Sequence, residues 1–295
     1  PRSPLSISVT AGDLRFTCNP VLCGHYRGDP IAGTEDVLDR QVLHGGLRQR
    51  ERLGFYPAEL GTSTVALLPD SRQPDGRMDR QGALVVGLGD FGSLSSSKLA
   101  DTVRAGVTRL LLNLQDRRSS LERSAQNPVR ITSLILGYNS TTSIGIEDSI
   151  ASVVSGVLAA ARQFHDAFPD SGLQVESLEF IELYLDTAIS AARALQRLPD
   201  RLASEIRASG LTLKLSDRLR MGPGALPRLA DPEVYESLKH GYARGGEAMA
   251  LTENVRAYYQ ILVQLEDPWT QTPAAADDDG EREREAPEQP DAMYL

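Results

Sequence analysis

The stretch Ala83-Leu84-Val85-Val86-Gly87-Leu88 is an unbroken apolar run that precedes a segment with helical periodicity at residues 95–114. In that segment apolar side chains recur at positions 99, 103, 107, 110, 111 and 114. A continuous apolar strand is typical of the interior of a sheet covered on both faces, and the period of the next segment indicates a helix with one buried face. The stretch therefore predicts a central strand of an α/β sheet, followed by a covering helix.

The alternation of strand and helix continues on both sides of this unit. Strands are predicted at residues 5–9, 13–18, 62–68, 131–137 and 178–183, with a further apolar run at 20–26 and an edge strand at 211–215. Helices are predicted from Thr34 to the Gly45-Gly46 pair and at 146–168, 187–198 and 201–208, and a loop at 69–80. This order predicts a three-layer α/β fold, in which a mixed, mostly parallel sheet has helices on both faces.

The composition changes along the chain and suggests three parts. Residues 1–198 are predicted to form the α/β domain, and residues 199–267 a C-terminal extension of helices and loops. Residues 268–295 are rich in Pro, Ala, Asp and Glu. Because such a segment buries too little apolar surface to fold, we predict a disordered acidic linker or tail there.

Charge and composition argue against several classes of function. The net charge of the 295 residues is −9, and eight acidic residues with two arginines at 277–291 account for most of it. The remainder is close to neutral, so no nucleic-acid partner is expected. The sequence contains no run of eighteen apolar residues, so no membrane-spanning helix is predicted. The chain has two cysteines, Cys18 and Cys23, which fits a reducing compartment. We therefore expect a cytoplasmic location and no membrane partner.

A first candidate ligand-binding loop follows the central strand. Gly87, Gly89, Asp90 and Gly92 form a G-x-G-x-x-G pattern between a strand and a helix. Glycines in this setting let backbone N–H groups approach a pyrophosphate. However, Asp90 brings a negative charge, and no strand ends in an acidic residue about twenty positions later, as dinucleotide sites require. The alternative is a tight turn that needs glycine backbone angles.

A second candidate loop joins the predicted strand at 131–137 to the long helix that follows. Its candidate ligand-binding residues are Gly137, Asn139, Ser140, Thr141, Thr142 and Gly145. Hydroxyl-rich loops of this kind hold phosphate or ribose in α/β folds. Glu147 and Asp148, in the first helical turn, interact favourably with the helix dipole and would repel an anionic ligand. The alternative is therefore a capped helix start.

The residues that carry chemistry in enzymes are sparse in this chain. The Cys18–Cys23 spacing has no second pair to complete a zinc site, the four histidines have no metal-ligand spacing, and no hydrolase or nucleotide-triphosphatase motif occurs. Cys23 and His25 share one face of a strand if the run at 20–26 is extended. Glu182, near the end of a predicted strand, is the carboxylate of most interest. We expect no catalytic residues, no metal and no cofactor, and a protein that binds rather than catalyses.

The order of segments gives a family resemblance. Asp39-Arg40-Gln41-Val42-Leu43-His44-Gly45-Gly46-Leu47, then Phe55-Tyr56-Pro57-Ala58-Glu59-Leu60-Gly61, then Ala83–Gly89 and a helix containing Leu99 follow one another. Over residues 12–198 this resembles the N-terminal domain of leucyl aminopeptidases, which has a macro-like fold. The resemblance implies a non-catalytic domain that helps to assemble an oligomer. It does not extend to the peptidase domain, because nothing after residue 200 resembles its metal cluster.

The macro-like class also contains binders of ADP-ribose, although this chain lacks their Asn-Ala-Ala-Asn run. The resemblance further implies a module of a larger bacterial multidomain protein with caspase-like or lipase-like effector domains. We therefore expect a regulatory, assembly or ligand-sensing module whose partners are other domains of the same polypeptide or another protein. The alternatives are a domain that binds a nucleotide or ADP-ribose, and a cryptic hydrolase that uses Cys23 or Glu182.

Overall fold

The computed structural model describes residues 4–72, 78–117, 127–138 and 144–225. Its strands are β1 (Leu5–Ala11), β2 (Pro20–Tyr26), β3 (Ser63–Leu67), β4 (Ser71–Arg72), β5 (Met78–Asp79), β6 (Gly82–Gly89), β7 (Asn127–Ser133), β8 (Leu173–Glu182), β9 (Leu213–Leu215) and β10 (Arg220–Met221). Its α-helices are α1 (Gly33–Val37), α2 (Gly46–Arg52), α3 (Ser96–Arg117), α4 (Ile146–Ala167), α5 (Leu185–Gln196), α6 (Leu198–Arg201) and α7 (Ala203–Ser209).

One sheet organises the described part of the chain. Its strand order is β10-β1-β8-β7-β2-β6-β3, and β9 also pairs with β1. All of these neighbours are parallel except β3 and β6, which are antiparallel. The short strands β4 and β5 form a separate antiparallel ribbon within the segment predicted to be a loop. The predicted fold class, an α/β fold with a mixed, mostly parallel sheet, is confirmed.

Strand β6 lies between β2 and β3, as its apolar sequence predicted, and all eight of its residues are buried. Leu84 and Val86 point into a large core that also contains apolar residues of α3, α4 and α5. Ala83 and Val85 point to the opposite face, into a smaller core that contains Ile31 and side chains of the α1–α2 region. The strand is apolar on both faces because each face meets a core.

Helices α3 and α4 pack against each other on the large core. Every apolar position predicted for the buried face of α3 is buried. The two helices approach closely at Gly156, where a Cβ atom would lie 2.6 Å from the carbonyl oxygen of Ala100 and 2.9 Å from Cβ of Val103. Gly156 therefore sets the distance between the two helices, because any larger residue would push their backbones apart.

Some local predictions are wrong. Residues 13–18 do not form a strand, because the side chain of Asp13 accepts a hydrogen bond from the amide of Arg15 and stabilises a 3-10 turn at Leu14–Phe16. The strand predicted at 131–137 begins earlier, at Asn127, and ends at Ser133. Local side-chain to backbone hydrogen bonding of this kind competes with strand formation and is difficult to read from apolar content.

The helix predicted from Thr34 to the glycine pair is also wrong in its details. It consists of the short helix α1 and a π-helical turn at Leu38–Val42, and the N-cap position of α1 is Ala32 rather than Thr34. His44 and Gly45 then adopt positive φ angles of 51° and 88°. This left-handed backbone ends the turn, and α2 begins directly after it.

Part of the C-terminal extension belongs to the same sheet. Strand β9 pairs with β1 at Leu5↔Leu213, where an edge strand was predicted, and β10 pairs with β1 at Thr10↔Arg220. The rest of the predicted extension, at 226–267, and the predicted acidic tail at 268–295 lie outside the described residues. Within the described ranges, no helix is both long enough and apolar enough to cross a membrane.

Candidate ligand-binding cleft

The connections of the sheet reverse between the neighbouring parallel strands β2 and β7. The two strands pair only at Val21↔Thr132 and Leu22↔Ser133, and β2 continues to Tyr26 after β7 has ended. After β2 the chain passes to the face of the smaller core, whereas after β7 it passes to α4 on the large core. In open α/β sheets such a reversal opens a crevice at the carboxyl ends of the strands, where ligands commonly bind.

A cleft of about 800 Å³ lies at this position. Its lining residues lie at or just after the ends of four strands. They are Gly12–Arg15 after β1, His25 and Tyr26 at the end of β2 with 29–30 and 32–37 after it, Leu134 after β7, and Ile181–Tyr184 at the end of β8. The volume falls within the range of about 300–1,000 Å³ that small-molecule sites usually have. The cleft is therefore large enough for a ligand of nucleotide size.

A buried hydrogen-bonded network forms part of the cleft wall. Nδ1 of His25 lies 3.1 Å from both carboxylate oxygens of Glu35, and the hydroxyl group of Tyr56 donates to Oε1 of Glu35 at 2.7 Å. The rings of His25 and Tyr56 meet edge to face, with centroids 4.8 Å apart. Burial, and then the charge of Glu35, raise the pKa of the Tyr56 hydroxyl well above its ordinary value, so this group remains a donor.

The network was only partly visible in the sequence. Alternation along β2 correctly placed Cys23 and His25 on one face, but Glu35 and Tyr56 were not recognised as members of a site. Cys23 is fully buried, and burial followed by the charge of Glu35 raises the pKa of its thiol. Since the thiolate is the reactive form of cysteine, this environment disfavours Cys23 as a nucleophile.

Glu182 lies on the cleft wall at the end of β8. Its Oε1 accepts a hydrogen bond of 3.1 Å from the amide of Ile135, which ties the chain after β7 to the end of β8. Its neighbours along β8 are directed elsewhere, since Glu176 binds Arg130 and Glu179 accepts from Thr10. The three carboxylates of β8 therefore do not gather into one acid–base site.

The predicted loop after β6 is closely packed by protein atoms. The amide of Gly87 donates to the carbonyl of Thr62, and the amide of Gly89 donates to that of Ala58. A Cβ atom on Gly87 would lie 2.1 Å from the carbonyl oxygen of Glu59. Gly87 and Gly89 thus hold the chain at 58–62 against β6, and their amides already have protein partners.

The end of this loop reaches the rim of the cleft. Asp90 forms a 2.9 Å ion pair with Arg27, which also binds Glu59. The ring of Phe91 contacts the ring of Tyr26 edge to face at 5.3 Å, and Phe91 remains half exposed. Gly92 has a φ angle of 79°, and no atom of the described residues lies close to its Cβ direction, so it serves the turn.

The predicted loop after β7 begins beside the cleft. Gly137 has a φ angle of 69°, and its Cβ position would lie 3.7 Å from the hydroxyl oxygen of the cleft residue Tyr26. Gly145 occupies the N-cap position of α4 in open space, and no side chain caps the helix among the described residues. The remaining candidates of this loop, Asn139, Ser140, Thr141 and Thr142, lie outside the described residues.

The acidic residues in the first turn of α4 are paired with arginines. Glu147 binds Arg197 and Arg201, and Asp148 binds Arg201 at 2.5 Å. These groups are exposed, so the pairs add little stability, but they balance the negative charge that the sequence placed beside the loop. Across the described ranges no group of three His, Cys, Asp or Glu side chains is arranged to hold a metal ion.

No known family model matches the chain. Among curated proteins, the chain is 40% identical over 63 residues to membrane-bound lytic murein transglycosylase F of Nitrosospira multiformis, a match that covers 19% of this chain and 13% of that protein. The enzyme of the same name from Thiobacillus denitrificans is 52% identical over 42 residues, which is 14% of this chain and 9% of that protein. The chain thus spans only a small part of the length of these relatives.

The chain also has likenesses among solved structures. The match to the bottromycin maturation enzyme BotP in complex with Mn covers 65% of this chain and 36% of the BotP chain, with 17% identity and a TM-score of 0.32. The match to a Trypanosoma brucei macrodomain in complex with ADP covers 66% of this chain and 77% of the macrodomain chain, with 12% identity and a TM-score of 0.37. The match to the macrodomain of Thermus aquaticus DarG covers 60% of this chain and 97% of that chain, with 12% identity and a TM-score of 0.34.

Proposed function

We propose that the described part of the chain is a macro-like ligand-sensing module that binds a nucleotide-type ligand, of which ADP-ribose is the representative, in the cleft between the ends of β2 and β7. The observation that carries this proposal is the cleft of about 800 Å³ at the point where the connections of the sheet reverse. Both candidate loops adjoin that cleft through Tyr26. The cleft offers room for a base and a sugar, and the described ends of both loops lie beside it.

The charges beside the loops are compatible with a phosphate group. Asp90, Glu147 and Asp148 were the sequence-based argument against an anionic ligand, and each of them is paired with an arginine. Helix α4 has 22 residues, and its N-terminus follows the second loop. The N-terminal amides of a long helix carry partial positive charge, which supports a phosphate contact near Gly145.

The proposed module binds its ligand and does not turn it over. This is supported by the burial of Cys23, which together with the charge of Glu35 raises the pKa of its thiol, and by the separate directions of the carboxylates on β8. We further propose that the ligand regulates or assembles a larger cytoplasmic bacterial protein, with other domains of the same polypeptide or a separate protein as partners. Ligand binding would then change the affinity of the module for that partner.

Thermal unfolding of the full chain with increasing ADP-ribose tests the proposal. A ligand that binds only the folded state adds about 2.7 kcal/mol at a hundredfold excess over its Kd, so the midpoint should rise with concentration. Gly145→Glu should abolish the rise by placing a carboxylate beside the phosphate, whereas the matched variant Gly145→Ala should retain it. No rise with ADP-ribose, ADP or NAD at millimolar concentration would contradict the proposal.

A second candidate function, assembly through the sheet, is favoured by the face of β1 and β8 opposite the large core. Ser6, Ser8 and Thr10 line a polar groove of about 570 Å³ there. Phe16 and Met221, at its edge, are 58% and 65% exposed. If copies of the chain associate through this groove, changing both residues to Ser should convert an oligomer to a monomer in sedimentation velocity. An unchanged sedimentation coefficient would exclude the groove as the interface.

A further inference from the structure

The His25 ring has a defined hydrogen-bonding direction. Glu35 is 8% exposed and accepts from the Tyr56 hydroxyl as well as facing Nδ1 of His25. An ionised carboxylate only accepts hydrogen bonds, so Nδ1 carries the hydrogen that points at Glu35. In the neutral ring the other nitrogen, Nε2, is then an acceptor.

The second nitrogen of this ring has no hydrogen-bond partner among the described residues. His25 is 6% exposed and lines the cleft, so the little accessible surface that remains to it belongs to the cleft wall. Among the described residues, Nε2 of His25 is not one of the enclosed polar atoms that lack a partner, so it keeps accessible surface where a ligand or water can satisfy it. Glu35 and Tyr56 hold the His25 ring in place, and Nε2 of the ring can bind a ligand.

Two further side chains that line the cleft are carboxylate acceptors. Asp29 and Glu182 line the cleft with carboxylate groups, and the guanidinium group of Arg15, which also lines it, is paired with Asp13. Such a wall is complementary to a ligand surface that presents hydrogen-bond donors. A phosphate group, which at neutral pH presents mainly acceptor oxygens and negative charge, would be repelled by it.

We propose that Nε2 of His25 accepts a hydrogen bond from a sugar hydroxyl group of the bound ligand, and that this wall thereby selects the sugar while the phosphates stay near the loops. The inference rests on the proposed ligand-binding cleft and adds a specificity-determining residue to it. Glu35 and Tyr56 act as positioning residues, because Glu35 holds Nδ1 of the His25 ring and the Tyr56 hydroxyl holds Glu35.

The test is a long-range ¹H–¹⁵N spectrum of the wild-type full chain, with the His25 signals assigned by their loss in His25→Gln. Without ligand, the spectrum should show hydrogen on Nδ1 and none on Nε2. Addition of ADP-ribose should then shift the Nε2 resonance, and D-ribose should shift the same resonance at higher concentration. Pyrophosphate, which has no sugar hydroxyl group, should leave it unchanged.

The affinity of variants gives a second readout. His25→Gln should weaken ADP-ribose binding about five- to tenfold in calorimetry, which is the usual effect of losing one hydrogen bond. His165→Gln is the matched control, because His165 lies on α4 and lines a separate pocket beside the start of β8. It should bind as the wild type does.

The outcomes separate the two proposals. Suppose that ADP-ribose raises the unfolding midpoint, leaves the Nε2 resonance unchanged, and binds His25→Gln with the affinity of the wild type. The hydroxyl contact is then wrong, and the proposed ligand-binding cleft stands. A response to pyrophosphate equal to that of ADP-ribose also overturns the contact, because it indicates a phosphate at His25. If D-ribose shifts the Nε2 resonance and ADP-ribose does not, the hydroxyl contact is supported and the nucleotide-type ligand is excluded. If neither compound shifts the resonance or raises the unfolding midpoint, both proposals are overturned.

Discussion

The loops after β6 and β7 have similar sequence signatures and different environments. Both join a strand to a long helix, and both contain glycines that a nucleotide-binding loop would need. At Gly87 a Cβ atom would lie 2.1 Å from a carbonyl oxygen of the neighbouring segment, whereas at Gly145 the nearest atom of the described residues, beyond its chain neighbours, is 3.9 Å away. The first glycine is required by packing, while the second is not crowded by any described residue.

The hydrogen bonds of the two loops differ in the same way. The amide of Gly87 donates to the carbonyl of Thr62, and its own carbonyl accepts from the buried hydroxyl of Thr102. That hydroxyl also accepts from the amide of Gly61, so it joins the two segments. By contrast, no side chain in the described ranges caps the start of α4 at Gly145. A glycine pattern is therefore evidence for a ligand only where its amides remain open.

The largest expected effect that separates the loops is on stability. Gly87→Ala would force its methyl group into the backbone at 58–59, which cannot move without breaking the hydrogen bonds of Gly87 and Gly89. We expect a loss of about 3 kcal/mol in the free energy of unfolding, as for an overpacked core. Urea unfolding followed by circular dichroism measures it.

The control for this prediction is Gly145→Ala, which adds the same methyl group in open space. Its cost should stay near 0.5 kcal/mol, the approximate cost of an unfavourable residue at an N-cap. Equal losses in the two variants would contradict the comparison, because they would show that the two glycines have the same packing role.

The fold was predictable where apolar periodicity is long and uninterrupted. The eight buried residues of β6 and the buried positions of α3 follow directly from the pattern of apolar residues, because both faces of β6 meet a core and one face of α3 packs on the large core. The segment at 34–45 was predicted less well. Its π-helical turn and the positive φ angles of His44 and Gly45 depend on Asp39, a buried side chain that binds Arg48 and the amide of Leu47. Such tertiary hydrogen bonds leave no periodic signal.

The candidate site was less predictable than the fold for a similar reason. The glycine loops were visible as local motifs, but the network of His25, Glu35 and Tyr56 joins residues from a strand, a short helix and a loop. Only His25 had a local signal, through alternation along β2. Likewise, the sequence placed Glu147 and Asp148 beside the second loop without showing that arginines at 197 and 201 balance them. Contacts between distant segments decide both features.

The smallest expected effect sharpens the description of the second loop. The backbone of Gly145 is extended, with φ −77° and ψ 166°, which is the conformation of an N-cap residue. Gly145→Ser would let a hydroxyl group accept from an amide of the first turn of α4, so we expect a gain of about 0.3 kcal/mol and a rise of about 1 °C in the unfolding midpoint. Calorimetric scans of Ser, Ala and wild-type proteins side by side measure the difference. If Ser is no more stable than Ala, the amides of that turn already have partners, and the phosphate contact proposed near Gly145 would lose its donors.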